Sequence, residues 1–429
     1  MGWGIAIVGL TLLAVASVSR RLLSTPVTPI MLVVLVGLIV GPLVLDDLTV
    51  APTSSTVRTL AEATLAVVLF LDASRINLRA LRNEASLPLR LLGVGLPLTI
   101  VLGGLAATAL FGSLSLSEAL ILGVILAPTD AGLGSAVVTD TRVPQRVRQS
   151  LNVESGLNDG ICVPLLLILL ATVSGLETHP FRVVGEEIGY GLLGGVAAGL
   201  LAASVVLVAG KRELIDESWR QIIPVAAAVA AYGIAIALGG SGFIAAFVAG
   251  ALFGVIAGER ATAVMEFTED SGAVLASVTF LVFGAVLFGP TLEGLNWRSV
   301  VYAALSLTAI RMLPVAISLW RTRARVPTVA FMGWFGPRGL ASIVFAVMVE
   351  DAHVPHAGTI VAASYLTVGL SVLVHGLSAS PLVARYARWY RSTANEPRPV
   401  IESRPMHEHR TRRRLPLVPR SPASPMPPG

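Results

Sequence analysis

Two stretches of this chain set acids among apolar neighbours: ILAPTDAGLG carries Asp130, and further on VESGLNDGIC carries Glu154, Ser155, Asn158 and Asp159. Carboxylates, a hydroxyl and a carbonyl gathered in such a setting can hold a proton or coordinate a hard cation, since both guests seek oxygen. In a helix, Ser155 and Asp159 lie four residues apart on one edge, and Glu154 and Asn158 form a second edge rotated by about 100°. One edge can face a cavity while the other braces a neighbouring helix, for instance through a Glu154–Arg338 ion pair and an Asn158 amide, which bonds partners of either sign. Asp72, Arg311 and Arg338 are further charges within apolar runs. Each alone costs about 2.5 to 3.5 kcal/mol at a membrane helix centre, so these groups are expected to meet one another or water.

To bring them together, the helices that carry them must be broken. Pro128 precedes Thr129 and Asp130, with Gly132 and Gly134 nearby, and GPRG at 336–339 interrupts a later apolar run in the same manner. Proline removes a backbone donor and displaces the carbonyl one turn earlier. One such kink is a packing feature; interrupted spans in corresponding halves of a transporter point to a midplane site. A freed Thr129 carbonyl beside Asp130 makes an oxygen-rich niche for a cation. Arg338 is expected to neutralise the carbonyl ends of its own broken helix or to hold Glu154. Asp72 ends its run with Arg75 one turn on, which fits a surface ion pair as well as a ligand. Arg311 is expected to brace an acid in the core, Glu62 to lie near the outer interface, and His375 to be hydrogen-bonded between helices, with a proton relay as its alternative.

Hydrophobic residues make up 54% of the 429 and charged residues 13%, well below the roughly 25% charged share of a soluble domain. Thirteen apolar blocks fall near 3–19, 29–45, 59–72, 88–112, 117–139, 150–173, 184–209, 220–238, 242–257, 271–289, 299–319, 328–349 and 358–384. A hydrocarbon core of about 30 Å takes about 20 such residues per helix. The runs lack the alternation of an outer-membrane barrel, so the chain reads as an all-α polytopic membrane protein.

Arginine and lysine then orient it. Arg20/Arg21, Arg75/Arg79/Arg82, Arg142/Arg146/Arg148, Lys211/Arg212, Arg260 and Arg321/Arg323/Arg325 fall in gaps on one side with the tail from Arg385, against Arg58, Arg182 and Arg298 on the other. The N-terminus is therefore expected outside and the C-terminus in the cytoplasm of a cell inner membrane. The net charge of +5 sits in membrane-flanking gaps and the tail, which suits anionic headgroups and not nucleic acid. No cleavable leader is expected, because the first block is long enough to span and is followed by Arg20 and Arg21. The single cysteine, Cys162, lies in an apolar block and reads as packing. Residues 387–429, rich in Pro and Arg, read as a disordered cytoplasmic tail after a transmembrane domain at 1–386. His407 and His409 there are expected to be part of a solvated charge run, with metal binding as the alternative.

APTD at 127–130, ESGLNDG at 154–160, GSGFIAAFVAG at 240–250 and GPRG at 336–339 resemble, in order and spacing, the NhaP-type sodium/proton antiporters of the monovalent cation:proton antiporter family. The resemblance covers about residues 1–385. It implies an inverted-repeat fold of about 13 helices with two crossed, interrupted helices in a core bundle (about 88–173 and 299–384). A second bundle (about 3–72 and 184–289) would form the interface of a homodimer. It also implies that Na⁺ and H⁺ are the transported species, with no cofactor. The cation would bind at the positions of Asp159, Asp130, Ser155 and the Thr129 backbone oxygen, with Asp72 as a candidate third-helix acid. Asn158, Glu154 and Arg338 would form a supporting network. The usual PTDP pattern continues here as PTDA, a departure expected to alter the bend of the interrupted helix while removing no ligand. Asn158, in place of a second aspartate, resembles the electroneutral branch, which exchanges one cation for one proton.

The resulting expectation is that a proton and Na⁺ or Li⁺ compete for Asp159 and cross by alternating access, a K⁺/H⁺ antiporter of the same fold being the alternative. An intramembrane serine protease using Ser241 of the GGSG run with His375 would need a base within hydrogen-bond reach of the serine, and a tight turn explains those glycines better. A passive channel would pass cations without opposite proton movement.

Overall fold

The computed structural model describes residues 2–22, 25–42, 55–76, 86–173, 180–393 and 402. No strand occurs among them. Apart from two short helices at Glu217–Arg220 and Glu259–Val264, the helices among the described residues fall into thirteen successive segments, one for each apolar block. They are α1 (Gly2–Leu22), α2 (Pro29–Val40), α3 (Ser55–Ser74) and α4 (Ser86–Leu110). A fifth segment is split into α5 (Leu116–Ile125) and the single turn α6 (Ser135–Val138). Then come α7 (Gln145–Val173), α8 (Pro180–Ser204, extended by a π turn), α9 (Ile223–Ala237), α10 (Gly242–Ala257) and α11 (Glu266–Glu293). The last three segments are α12 (Trp297–Leu307) with α13 (Ala309–Ser318), α14 (Val326–Trp334) with α15 (Leu340–Asp351), and α16 (Ala357–Thr393).

Local sequence sets several of the starts. Thr28 accepts from the Met31 amide just before Pro29, Ser115 and Glu118 make a reciprocal capping box, and Ser241 accepts from the Ile244 amide. Each side chain satisfies donors that a helix start leaves open. The GGSG run is thus the entry to α10, with Ser241 as its cap.

One break was not expected. Block 299–319 is divided at Thr308, whose backbone (φ −117°, ψ −95°) leaves the helical region. Its hydroxyl donates to the Ala304 carbonyl at 2.6 Å, a back-bond of the kind that bends helices. The last helix also outruns the expected boundary, since residues up to Thr393 remain helical. Most of the predicted disordered tail, including His407 and His409, lies outside the described residues, as do Arg79 and Arg82. Glu402 is described: it is 3% exposed and accepts from the Arg325 amide at 3.0 Å.

Helices α8, α9 and α10 pack on one another, α9 and α10 also pack on α3, and α11 packs on α2 and α3. Their contact is rich in buried alanines, among them Ala228, Ala231, Ala235, Ala245 and Ala249. In lipid no hydrophobic force draws helices together, so close approach of small residues supplies the van der Waals contact. On the other side, α5 packs on α4 and α7, α15 and α12 pack on α16, and α13 packs on α14. Helix α3 touches both sets, meeting α7 and α15 as well as α10.

Candidate functional site

The fifth and twelfth segments cross where each is unwound. After α5 the chain is non-helical through Asp130, whose amide donates to the Pro337 carbonyl at 2.8 Å. The Asp130 carboxylate then serves both segments. Its Oδ1 accepts from the Gly132 and Leu133 amides at 2.6 and 3.3 Å, and its Oδ2 from the Leu340 amide at 3.2 Å. Leu340 opens α15, so an acid from one segment caps a helix of the other, at the end where the backbone dipole favours negative charge.

Arg338 returns the favour from the opposite segment. Its Nη1 donates to the Ala127 and Pro128 carbonyls at 2.8 and 3.2 Å, beside the C-terminal end of α5, and its backbone amide donates to Ser371 Oγ at 2.7 Å. Ser342 Oγ adds a bond to the Ile125 carbonyl at 2.7 Å. The expectation that Arg338 neutralises its own broken helix or holds Glu154 is therefore corrected: it satisfies carbonyls of the other broken segment.

Glu154 pairs instead with Arg311, Nη1 to Oε1 at 2.5 Å and Nη2 to Oε2 at 2.9 Å, with each side chain 2% exposed. Room for the guanidinium comes from Gly336, where a Cβ would overlap Arg311 Nε. Arg311 thus braces an acid of the core, as its place in an apolar run predicts, and that acid is Glu154.

Helix α7 holds the unwound 129–131 stretch from both of its polar edges. Ser155 Oγ donates to the Thr129 carbonyl at 2.6 Å and accepts from the Ala131 amide at 2.7 Å, while Asn158 Nδ2 donates to Thr129 Oγ1 at 2.8 Å. The division into one edge facing a cavity and one bracing a neighbour is thus too simple. Ser155 thus bonds the backbone on either side of Asp130, and Asp159 lies one turn along α7, 8% exposed. Gly156, between them, faces Asp72, with its Cβ position 3.5 Å from the Asp72 carbonyl. Asp72 pairs with Arg75 at 3.4 Å, and the two side chains are 12% and 7% exposed. That ion pair belongs to the interior and not the surface. Arg75 also meets Glu269 of α11 at 2.6 Å.

A cavity of about 580 Å³ runs between α2, α3, α11 and the crossing. Arg75, Glu269 and the exposed Asp270 line one end, and Asp130 and Leu340 line the other. Thr129, Asp130 and Ser155 share a much smaller adjoining pocket, and Asp159 lines neither.

The sequence signalled the GPRG glycines without their role. A Cβ on Gly339 would overlap the Asp130 carboxylate, Asp130 Cβ being 2.7 Å from that position. Gly339→Ala is therefore expected to lower stability by about 1 to 3 kcal/mol through overpacking. A detergent thermal-denaturation midpoint equal to that of the unsubstituted protein would contradict this close fit. His375 is engaged on both sides, with Nε2 2.9 Å from the Trp334 carbonyl and Nδ1 3.2 Å from Ser371 Oγ, as expected for a histidine between helices. Cys162 is buried.

Two interrupted helices crossing within a bundle of membrane spans, each end compensated by a charge from the other, is the architecture of an inverted-repeat secondary transporter. The transmembrane sodium/hydrogen exchanger family matches residues 7–385, and the chain belongs to that family. The fold is similar to that of the sodium proton antiporter MjNhaP1 from Methanocaldococcus jannaschii, solved at pH 8, with a TM-score of 0.73 and 20% identity, covering 90% of this chain and 99% of that one.

Among curated proteins, the chain is 24% identical to the K(+)/H(+) antiporter NhaP of Alkalimonas amylolytica, over 76% of this chain and 56% of the relative. It is 26% identical to the K(+)/H(+) antiporter NhaP2 of Shewanella oneidensis, over 89% of this chain and 67% of the relative. The Na(+)/H(+) antiporter of Schizosaccharomyces pombe is 27% identical over 57% of this chain and 56% of the relative. The chain thus spans 56% to 67% of the length of these relatives.

Proposed function

We propose that this protein exchanges Na⁺ or Li⁺ for H⁺ across the cell inner membrane, with both guests competing for Asp159. The supporting observation is the oxygen cluster at the crossing, buried Thr129 and Ser155 beside half-buried Asp130, with Ser155 one helical turn from Asp159 and Asp130 lining the cavity. In this reading Asp159 carries the exchangeable charge. The Thr129 carbonyl and Ser155 hydroxyl complete the cation's oxygen shell, the hydroxyl turning away from the carbonyl it now meets. Asp130 has three amide donors on a carboxylate with about four acceptor sites. Its main part is therefore to shape the loop and supply a negative field, with one position left for the cation. The empty carboxylate at Asp159 is costly to move through an apolar barrier, and either guest neutralises it.

The helices at 88–173 and 299–384 would move as a core against those at 3–72 and 184–289, the latter joining two copies. The cavity end bearing Arg75 and Glu269 then faces the cytoplasm, with the C-terminus on the same side. Asn158 adds no second titratable carboxylate beside Asp159, which favours a one-for-one, electroneutral exchange.

Proteoliposomes with an internal pH dye provide the test. A Na⁺ or Li⁺ gradient is expected to drive opposite proton movement at a rate unchanged when the membrane potential is clamped. The half-saturating cation concentration should rise as pH falls, toward about tenfold per unit in the competitive limit. Cation flux without proton movement would rule the reading out. K⁺ as the substrate is a second reading, favoured by the names of the bacterial relatives, and the same assay with a K⁺ gradient decides it.

A further inference from the structure

Away from the cavity, one charged cluster joins α3 and α9 to α15, whose other end lies at the crossing. Arg58 of α3 donates through Nε to Glu62 Oε1 at 2.7 Å and through Nη1 to the carboxylate of Asp351, the last residue of α15. Tyr232 of α9 donates to the other oxygen of Glu62 at 2.8 Å. Helix length locates the cluster. Arg58 lies about 25 Å along the chain axis of α3 from Arg75 at the cavity mouth, and Asp351 about 16 Å along α15 from Leu340 at the crossing. The site therefore lies between a cavity at one end and this cluster at the other.

We infer that Arg58 and Asp351, with Glu62 and Tyr232 orienting the arginine, form the gate that closes the site on the face opposite the cavity. The inference rests on the exchange reading above, in which the two groups of helices must part on that face once per cycle. The partners divide accordingly: Glu62 and Arg58 on α3 and Tyr232 on α9 belong to one group, and Asp351 belongs to the other. The neighbouring Glu118–His356 pair, at 2.9 Å, joins α5 to the start of α16 within a single group and does not cross that boundary. Arg58 and Asp351 side chains are each 48% exposed, and a pair in that setting stabilises little. Such a contact is poorly suited to holding the fold and well suited to repeated breaking.

A reducible thiol cross-linker joining cysteines in Arg58→Cys/Asp351→Cys tests the gate, with buried Cys162 left in place. Cross-linking is expected to lower cation-driven proton movement about tenfold or more, with recovery on reduction and no effect on either single variant. Full exchange in the cross-linked protein would overturn the gate while leaving the exchange reading intact. If the unsubstituted protein shows no exchange at all, that reading fails, and labelling decides the gate alone. Val347 is one turn inside Asp351 on the same face of α15 and is 6% exposed. A Val347→Cys thiol is expected to react with a membrane-impermeant maleimide several-fold faster when Arg58→Ala is added, and equal rates would refute the gate.

Discussion

Asp159→Asn is expected to reduce cation-driven proton movement to the level of protein-free liposomes while leaving the thermal midpoint nearly unchanged. Asparagine keeps the shape of the side chain but can neither bind and release a proton near neutral pH nor offer a full negative charge to a cation. It resembles the occupied, neutral state of the carboxylate, so burial at 8% exposure is no harder for it than for the acid. The expected signature is therefore a folded protein that has lost both guests. Residual exchange above background would move the exchangeable charge elsewhere, with Asp130 the next place to look.

The second large effect concerns stability. Glu154→Gln is expected to destabilise the protein by about 3 to 5 kcal/mol, because it leaves the Arg311 guanidinium charged and uncompensated in a dry interior. Removing both charges, as in Glu154→Leu/Arg311→Met, should recover most of that loss, since a buried ion pair contributes little over an apolar pair of similar volume. Thermal denaturation of the two variants in the same detergent gives the comparison. A single variant as stable as the unsubstituted protein would show that the pair is hydrated or exchangeable, contrary to its 2% exposure.

Much of this architecture is legible in the residues themselves. Long apolar runs mark the spans because a bilayer sets a minimum length for each, and Pro128 with Thr129 and Asp130, or Gly336 through Gly339, marks the two interruptions. The contact between Ser155 and the 129–131 stretch follows from helical spacing once the fifth segment is known to be broken. Partner choice among charges is not legible in the same way. Arg311 and Arg338 both lie within apolar runs, and the fold alone reveals that the first, beside the space left by Gly336, meets Glu154. The bend at Thr308 carries no glycine or proline at the break, and threonine is common in membrane helices. Arg58 and Asp351 lie 293 residues apart in the chain, and nothing local to either indicates the other.

The reciprocal capping at the crossing has a consequence for biogenesis. Until the GPRG segment has been synthesised and inserted, the carbonyls of Ala127 and Pro128 lack the Arg338 side chain that later satisfies them. A nascent chain ending before that segment must then hold polar backbone in a hydrocarbon environment, where each unmet group is expensive. The fifth segment consequently waits, half-finished, for the twelfth, and translation order makes the pair mature together.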